Sequence, residues 1–326
     1  MTNNSTSCCV VPLNTIKYFK IPVYTLVLLA GLPLNCFAFW AVVSQLKRSV
    51  LLSVYVMNLL LANLLQILTL PFWMYHSYRD QQWGLGDQAF IAVKLAFRTN
   101  FYAKNNFLCL IAMERYLGLV HLLRFHRLQE MAGATKVSIA MWLLVLIPCI
   151  VGIWLEVDYK QTSCPDSSQL NYHYALFRIS IMTVSFLTPC LLMGFFYLSI
   201  LLELRKVVSL ERRVKRQIYW FVSLIIITFF LFFTPFQVTL FYRYFWEVKG
   251  VERAACNLVE NTYICLHATR CLATLNNIFD PLLYILLLKD VRTEIKVVLG
   301  SKARKPGMAY SLEKQERPPS FLTEQV

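Results

Sequence analysis

The sequence predicts an all-α membrane protein: a seven-transmembrane helix bundle followed by a short amphipathic C-terminal helix. Three observations carry this. The chain is 57% hydrophobic and 15% charged, whereas soluble domains are about half apolar and a quarter charged. Five stretches, 21–46, 49–78, 137–155, 179–202 and 217–242, contain no Asp, Glu, Lys or Arg, and a bilayer core of about 30 Å needs roughly 20 such residues per helix. Two more stretches, 90–119 and 261–288, have the length and apolarity but carry charge.

The chain divides in order into an N-terminal segment 1–20, a bundle 21–288, a membrane-surface helix 289–299 and a disordered tail 300–326. The N-terminal segment lacks a continuous apolar run of the kind a cleavable signal requires, so the first span is expected to target the chain. Asn3 and Asn4 each begin an Asn-x-Ser/Thr acceptor, which fits glycosylation of an exterior terminus. Lys and Arg gather in alternate loops, at Lys47 and Arg48, at Arg124, Arg127 and Lys136, and from Arg205 to Arg216. Such residues accumulate on the cytoplasmic side, so the N-terminus is expected outside and the tail inside. The net charge of +14 is largely this cytoplasmic excess, which excludes nucleic acid as its explanation and leaves membrane lipids as its partner.

Spans two, five, six and seven contain Pro71, Pro189, Pro235 and Pro281; each removes a ladder hydrogen bond and bends its helix. After span seven, Val291, Ile295 and Val298 share one helical face amid basic residues, the pattern of a helix lying on a leaflet. Of ten cysteines, Cys36, Cys109, Cys149, Cys190 and Cys271 fall within spans and read as small apolar packers. Cys8, Cys9, Cys164 and Cys256 fall on the oxidising exterior, where disulfides persist. The expected pairing divides Cys8 and Cys9 between Cys164 and Cys256, with Cys265 as a competitor, so the connectivity stays open.

The ionisable residues concentrate in spans three and seven. Charge inside a bilayer costs about 2.5 to 3.5 kcal/mol per group on insertion scales and faces a bundle interior or a wet cavity. Lys104 lies eleven residues before Arg115, three turns away on nearly the same face, so that face points inward. Lys94 and Arg98 share a face one turn apart, and Arg270 lies near the outer end of span seven. Arg178 and Arg243, at the outer ends of spans five and six, extend this cationic rim. Cations without counter-charges imply an anionic guest, because a guanidinium fork matches carboxylate or phosphate. Aromatic residues such as Tyr102 and Phe233 would wall the site. The competing reading for Arg178, Arg243, Arg270 and Lys94 is that they hold lipid phosphates at the interface.

Glu114-Arg115-Tyr116 closing span three and Asp280-Pro281-Leu282-Leu283-Tyr284 closing span seven resemble the rhodopsin-like G-protein-coupled receptors. So do Asn35 in "GLPLN", "LAN" at Leu61–Asn63, Trp142, Pro189 with Tyr197, and "FFTPF" around Pro235. "TLPFW" at Thr69–Trp73, "FTPF" at Phe233–Phe236 and "TRCLATLNNIFDP" at Thr269–Pro281 are similar to a narrower branch. It comprises purinergic nucleotide receptors and relatives that bind small carboxylates, lysolipids or protons. The resemblance implies that Arg270 contacts the anionic ligand, that Phe233 takes the toggle role, and that Glu114, Arg115, Tyr116, Tyr197, Asp280 and Tyr284 form the activation switch that opens a crevice for a heterotrimeric G protein.

The departures from the family are also informative. The cysteine expected at the top of span three is Phe90, the span-two aspartate is Asn63, and Leu122 replaces a common proline. Gln237 follows "FTPF" where relatives often have His; with five histidines and none there, proton sensing is disfavoured and Gln237 joins the ligand-binding candidates. Lys215 stands where some relatives lock Arg115 with an acid, which raises the expected basal activity. At the depth of Lys104 the family holds a sodium ion. The Lys104 ammonium is expected to take that place, paired with Asp280 and hydrogen-bonded to Asn63, Asn276 or Asn277, with Asn35 in the same buried polar pocket. Alternatives are that the pair only ties two helices together or that Lys104 snorkels outward.

The sequence thus predicts a plasma-membrane receptor for a small anionic ligand, a nucleotide, carboxylate or lysophospholipid. Its rival is a constitutively active or decoy receptor, and a transporter is disfavoured because no repeat is present. No HExxH or GxSxG motif is present, so neither an enzyme nor a cofactor is expected.

Overall fold

The computed structural model describes residues 13–47, 51–80, 82–120, 131–159, 172–206, 212–249 and 256–287. Each of these stretches is built around one long helix. Span one runs from Leu13–Leu26 through a π-turn at Val27–Gly31 into Leu32–Lys47, span two is Leu52–Tyr78, span three Asp87–Val120 and span four Met131–Tyr159. Span five runs from Tyr172–Met182 through a second π-turn at Thr183–Leu187 into Thr188–Lys206, span six is Arg212–Val248 and span seven Cys256–Leu287. The expectations for Asn3, Asn4, Cys8, Cys9 and Cys164, for helix 289–299 and for the tail lie outside the described residues, as does the side chain of Cys256. Among the described cysteines, Cys36, Cys109, Cys149, Cys190, Cys265 and Cys271 are free thiols.

Spans one, two, four, five and six are long and apolar enough to cross a membrane by composition alone. Spans three and seven carry the ionisable residues, and the fold explains how. Span three packs against spans two, four and five, and its middle is buried on nearly every side, from Asn100 (2% exposed) through Lys104 (0%) to Phe107 (0%), with Asn106 half-buried. Charge at the depth of Lys104 is enclosed by protein. The opposite arrangement holds outside: Leu29, Trp40, Leu144, Trp154, Leu191 and Trp220 are each more than half exposed, the apolar belt that a bilayer requires of a bundle whose backbone bonds are satisfied internally.

Span one begins at Leu13, eight residues before the expected boundary at Ile21, so part of the segment assigned as a terminus is helix. Charge at Lys20 places that boundary too late. The helical face Ile16, Lys20, Tyr24, Val27 and Gly31 is continuous, and every member is buried. Lys17, one turn before Lys20, forms an ion pair with Asp80, just beyond span two, which joins the start of the first helix to the end of the second. That side of the molecule is the N-terminal end of the bundle.

Close approach explains one glycine. A Cβ on Gly31 would meet Ile67 Cδ1 at 3.3 Å, Val27 Cγ1 at 3.4 Å and the backbone oxygen of Asn277 at 3.6 Å, because spans one, two and seven converge there. The Gly31 carbonyl, at the end of the π-turn, accepts from Asn35 Nδ2 at 2.8 Å. The same amide donates to the Asn277 carbonyl at 2.7 Å, linking spans one and seven.

Where the family would place a cysteine, Phe90 forms an aromatic clasp. Its ring lies 5.2 Å from Trp83, 5.8 Å from His76 and 6.3 Å from Trp73. Gly86 closes the connecting turn at φ +85°, a conformation open mainly to glycine, and its carbonyl accepts from Trp83 Nε1 at 2.8 Å. Ring packing therefore fixes the start of span three to span two.

Trp142 of span four donates from Nε1 to Asn58 Oδ1 of span two at 2.9 Å, and its ring packs 5.6 Å from Phe107. Trp142→Phe keeps an aromatic ring and deletes the donor. It is expected to cost about 1 kcal/mol, the usual net worth of one hydrogen bond, read as a lowered thermal midpoint of the purified protein.

Candidate functional site

The buried polar cluster lies between spans one, two, three, six and seven. Lys104 Nζ donates to Asn277 Oδ1 at 3.0 Å and lies 5.8 Å from the centre of the Phe233 ring. Asn277 is oriented for this: its Nδ2 donates to the Thr274 carbonyl at 2.7 Å, leaving Oδ1 as the acceptor. Asn276 Nδ2 donates to Asp280 Oδ2 at 2.9 Å, one turn along span seven.

The direct Lys104–Asp280 ion pair expected from the sequence is not formed. The ammonium is hydrogen-bonded to an amide, and the carboxylate lies within its electrostatic reach without touching it. The reason is positional: on a helix, Asn277 and Asp280 sit on the same side but about 4.5 Å apart along the axis, and the ammonium meets Asn277. Asn63 adjoins Asp280, yet neither its Nδ2 nor its Oδ1 meets hydrogen-bond geometry with a protein partner. Lys104 therefore connects three helices: its own, span seven through Asn277 and span six through Phe233.

Towards the N-terminal end, the expected rim separates into two groups. In the first, Arg178 of span five is 7% exposed and its guanidinium lies 5.6 Å from the Tyr244 ring of span six. Tyr244 packs edge-on to Tyr174 at 6.3 Å, and Tyr102 and Arg98 of span three lie within electrostatic reach. In the second group, the Arg270 guanidinium lies 5.6 Å from the Phe236 ring and within electrostatic reach of Lys20.

Arg243 is half-buried and reaches towards both groups, through Tyr244 and His267. Lys94 lies over Phe90, its own neighbour one turn back, at 5.3 Å, and so belongs to the aromatic clasp. Span six turns Phe233, Phe236, Gln237, Leu240 and Tyr244 inward, all buried. Neither polar atom of the Gln237 amide has a hydrogen-bond partner among the described residues.

Sequence reading misses three participants: Lys20, Tyr244 and His267. Tyr244 and His267 lie one face-repeat from residues that it identifies, Tyr244 seven positions after Gln237 and His267 three before Arg270. Helical periodicity is the signal that finds them.

At the opposite end, Arg115 Nε and the Tyr197 hydroxyl have no hydrogen-bond partner among the described residues, and Arg115, Tyr197 and Tyr284 lie within electrostatic reach of one another. Glu114 adjoins Arg115, and Tyr116 packs against Phe195 and Phe196. Among the described residues, no hydrogen bond fixes Arg115 Nε or the Tyr197 hydroxyl.

Comparison with known proteins accounts for this layout. The family model "7 transmembrane receptor (rhodopsin family)" matches residues 34–284. Human "G-protein coupled receptor 68" is 27% identical over 304 residues, 92% of this chain and 81% of that protein. A purinoceptor of Xenopus laevis is 29% identical over 298 residues, 88% of this chain and 55% of that protein. Human "G-protein coupled receptor 65" is 28% identical over 303 residues, covering 90% of each chain. A match across six helices and part of the first, joined to the inward charges of spans three and seven, shows that the chain belongs to the rhodopsin family of seven-transmembrane receptors, a family of G-protein-coupled receptors rather than enzymes.

Proposed function

We propose that this receptor binds a small anionic extracellular ligand at the N-terminal end of the bundle and passes the signal to a heterotrimeric G protein at the opposite end. It stands in the plasma membrane with its N-terminus outside. One observation carries the reading: Arg178 and Arg270 turn their guanidinium groups onto aromatic rings inside the bundle, and among the described residues neither Nε has a hydrogen-bond partner and no carboxylate pairs with either. A desolvated cation without a counter-ion costs several kcal/mol; Arg178 is buried and Arg270 half-buried, so an anion that supplies the missing charge recovers that cost chiefly at Arg178. Gln237 and Tyr102 add neutral hydrogen-bonding groups to the same interior.

The ligand classes this favours are nucleotides, dicarboxylates and lysophospholipids; one relative is named a purinoceptor, which puts purine nucleotides first. The test is a second-messenger screen of these three classes on cells expressing wild type and Arg270→Ala. An agonist should lose roughly 10- to 100-fold in potency in the variant, the worth of about 1.5 to 3 kcal/mol for a charge-assisted hydrogen bond. An agonist of equal potency on both would remove Arg270 from the site. A receptor silent to all three classes with high signalling in their absence would favour the constitutive or decoy reading instead.

A further inference from the structure

The most heavily buried cation outside the groups the sequence identifies is Lys20. Its side chain is 2% exposed, on the inward face of span one, and no carboxylate among the described residues pairs with it. Its ammonium lies 5.6 Å from the Tyr24 ring and 5.7 Å from the Trp73 ring of span two. Arg270 and His267 of span seven lie within electrostatic reach. His267 is 5% exposed and its Nδ1 has no hydrogen-bond partner among the described residues. Beneath them, Tyr24, Val27, Ile67, Leu70, Phe97 and Cys271 form an apolar floor separate from the main core.

Two cations facing each other across an apolar floor repel, and ring faces attract a cation but neutralise nothing. Lys17, one turn earlier, shows the alternative, since it is paired with Asp80. Lys20 has no such partner and is more buried.

We infer that spans one, two and seven form a second anion subsite, in which Lys20, Arg270 and His267 take one carboxylate or phosphate group above the Trp73 and Tyr24 rings. It is distinct from the group around Arg178, Tyr102 and Tyr244, and it rests on the anionic-ligand reading. The ligand class it specifies carries either two anionic groups, one for each subsite, or one such group beside a neutral body. The anionic group comes either from solution or from a lipid head entering between spans one and seven.

The test uses the full-length receptor in phosphatidylcholine nanodiscs, with thermal midpoints measured with and without inorganic pyrophosphate. A second arm replaces pyrophosphate by phosphatidic acid in the disc. Because Lys20 is uncompensated in the free receptor, Lys20→Met should raise the midpoint without anion by about 2 to 4 °C and abolish at least half of the anion-induced rise in one arm, which names the source. Lys20→Arg should keep that rise. A Lys20→Met receptor that fails to fold, or that melts lower without anion, would make Lys20 a structural anchor and overturn the subsite. If Arg178→Met loses the anion response in both arms while Lys20→Met keeps it, the span-one subsite falls and the anionic-ligand reading stands. If neither variant alters any anion response, both fall.

Discussion

Lys104→Ala is expected to destabilise the receptor by about 3 to 5 kcal/mol, the cost of stranding one member of a buried charge couple. Lys104 is 0% exposed and Asp280 2% exposed. Removing the ammonium leaves the carboxylate with Asn276 as hydrogen-bond donor and without a cation, and it also strips Asn277 Oδ1 of its donor. The thermal midpoint of the purified protein and its amount at the cell surface should both fall. Adding Asp280→Asn removes the stranded charge, so the double variant should melt higher than Lys104→Ala alone. Because the two charges interact through space and through Asn277 rather than by contact, the coupling in the cycle should lie at about 0.5 to 3 kcal/mol. A double variant no more stable than the single would show that Asp280 does not answer to Lys104.

Phe233→Ala comes second, at about 3 to 5 kcal/mol for a fully buried aromatic side chain. Phe233 is 0% exposed and packs 5.5 Å from Phe101 and 5.4 Å from Phe229, and its ring also covers the Lys104 ammonium. Truncation therefore opens a cavity and exposes the lysine's flank together. Phe233→Leu restores most of the volume without the ring face. If it recovers the thermal midpoint but leaves the ligand-free second-messenger level changed, the aromatic contact biases the signalling equilibrium; if it recovers both, Phe233 acts through volume alone.

Much of the architecture is legible because a bilayer imposes a one-dimensional rule. Five uncharged stretches identify themselves by length, and spans three and seven stand out by carrying charge that lipid will not accept. The inward facing of Lys104 follows from its spacing to Arg115, and its 0% exposure agrees. Charge also misleads. A lysine looks like the end of a span, yet Lys20 lies one turn before Tyr24 on a buried face. Arg98, Arg178 and Arg270 share a depth and so suggest one rim. Depth says nothing of azimuth, and the helices separate Arg178 among tyrosines from Arg270 beside Lys20.

The number of crossings, the helices that carry charge and the face of span three that turns inward can all be read from the chain unaided, because each depends on hydropathy and a fixed helical repeat. The partner that each charge meets is legible only in part: Asn277 stands among the hydrogen-bond partners expected for Lys104, but the ion pair with Asp280 does not form, and the particular ring faces that Lys20, Arg178 and Arg270 meet are decided by the packing. A difference of one helical turn between neighbouring rods separates an ion pair from an amide hydrogen bond, and the relative height of the rods is set by the packing of whole helices, which no local stretch of sequence encodes.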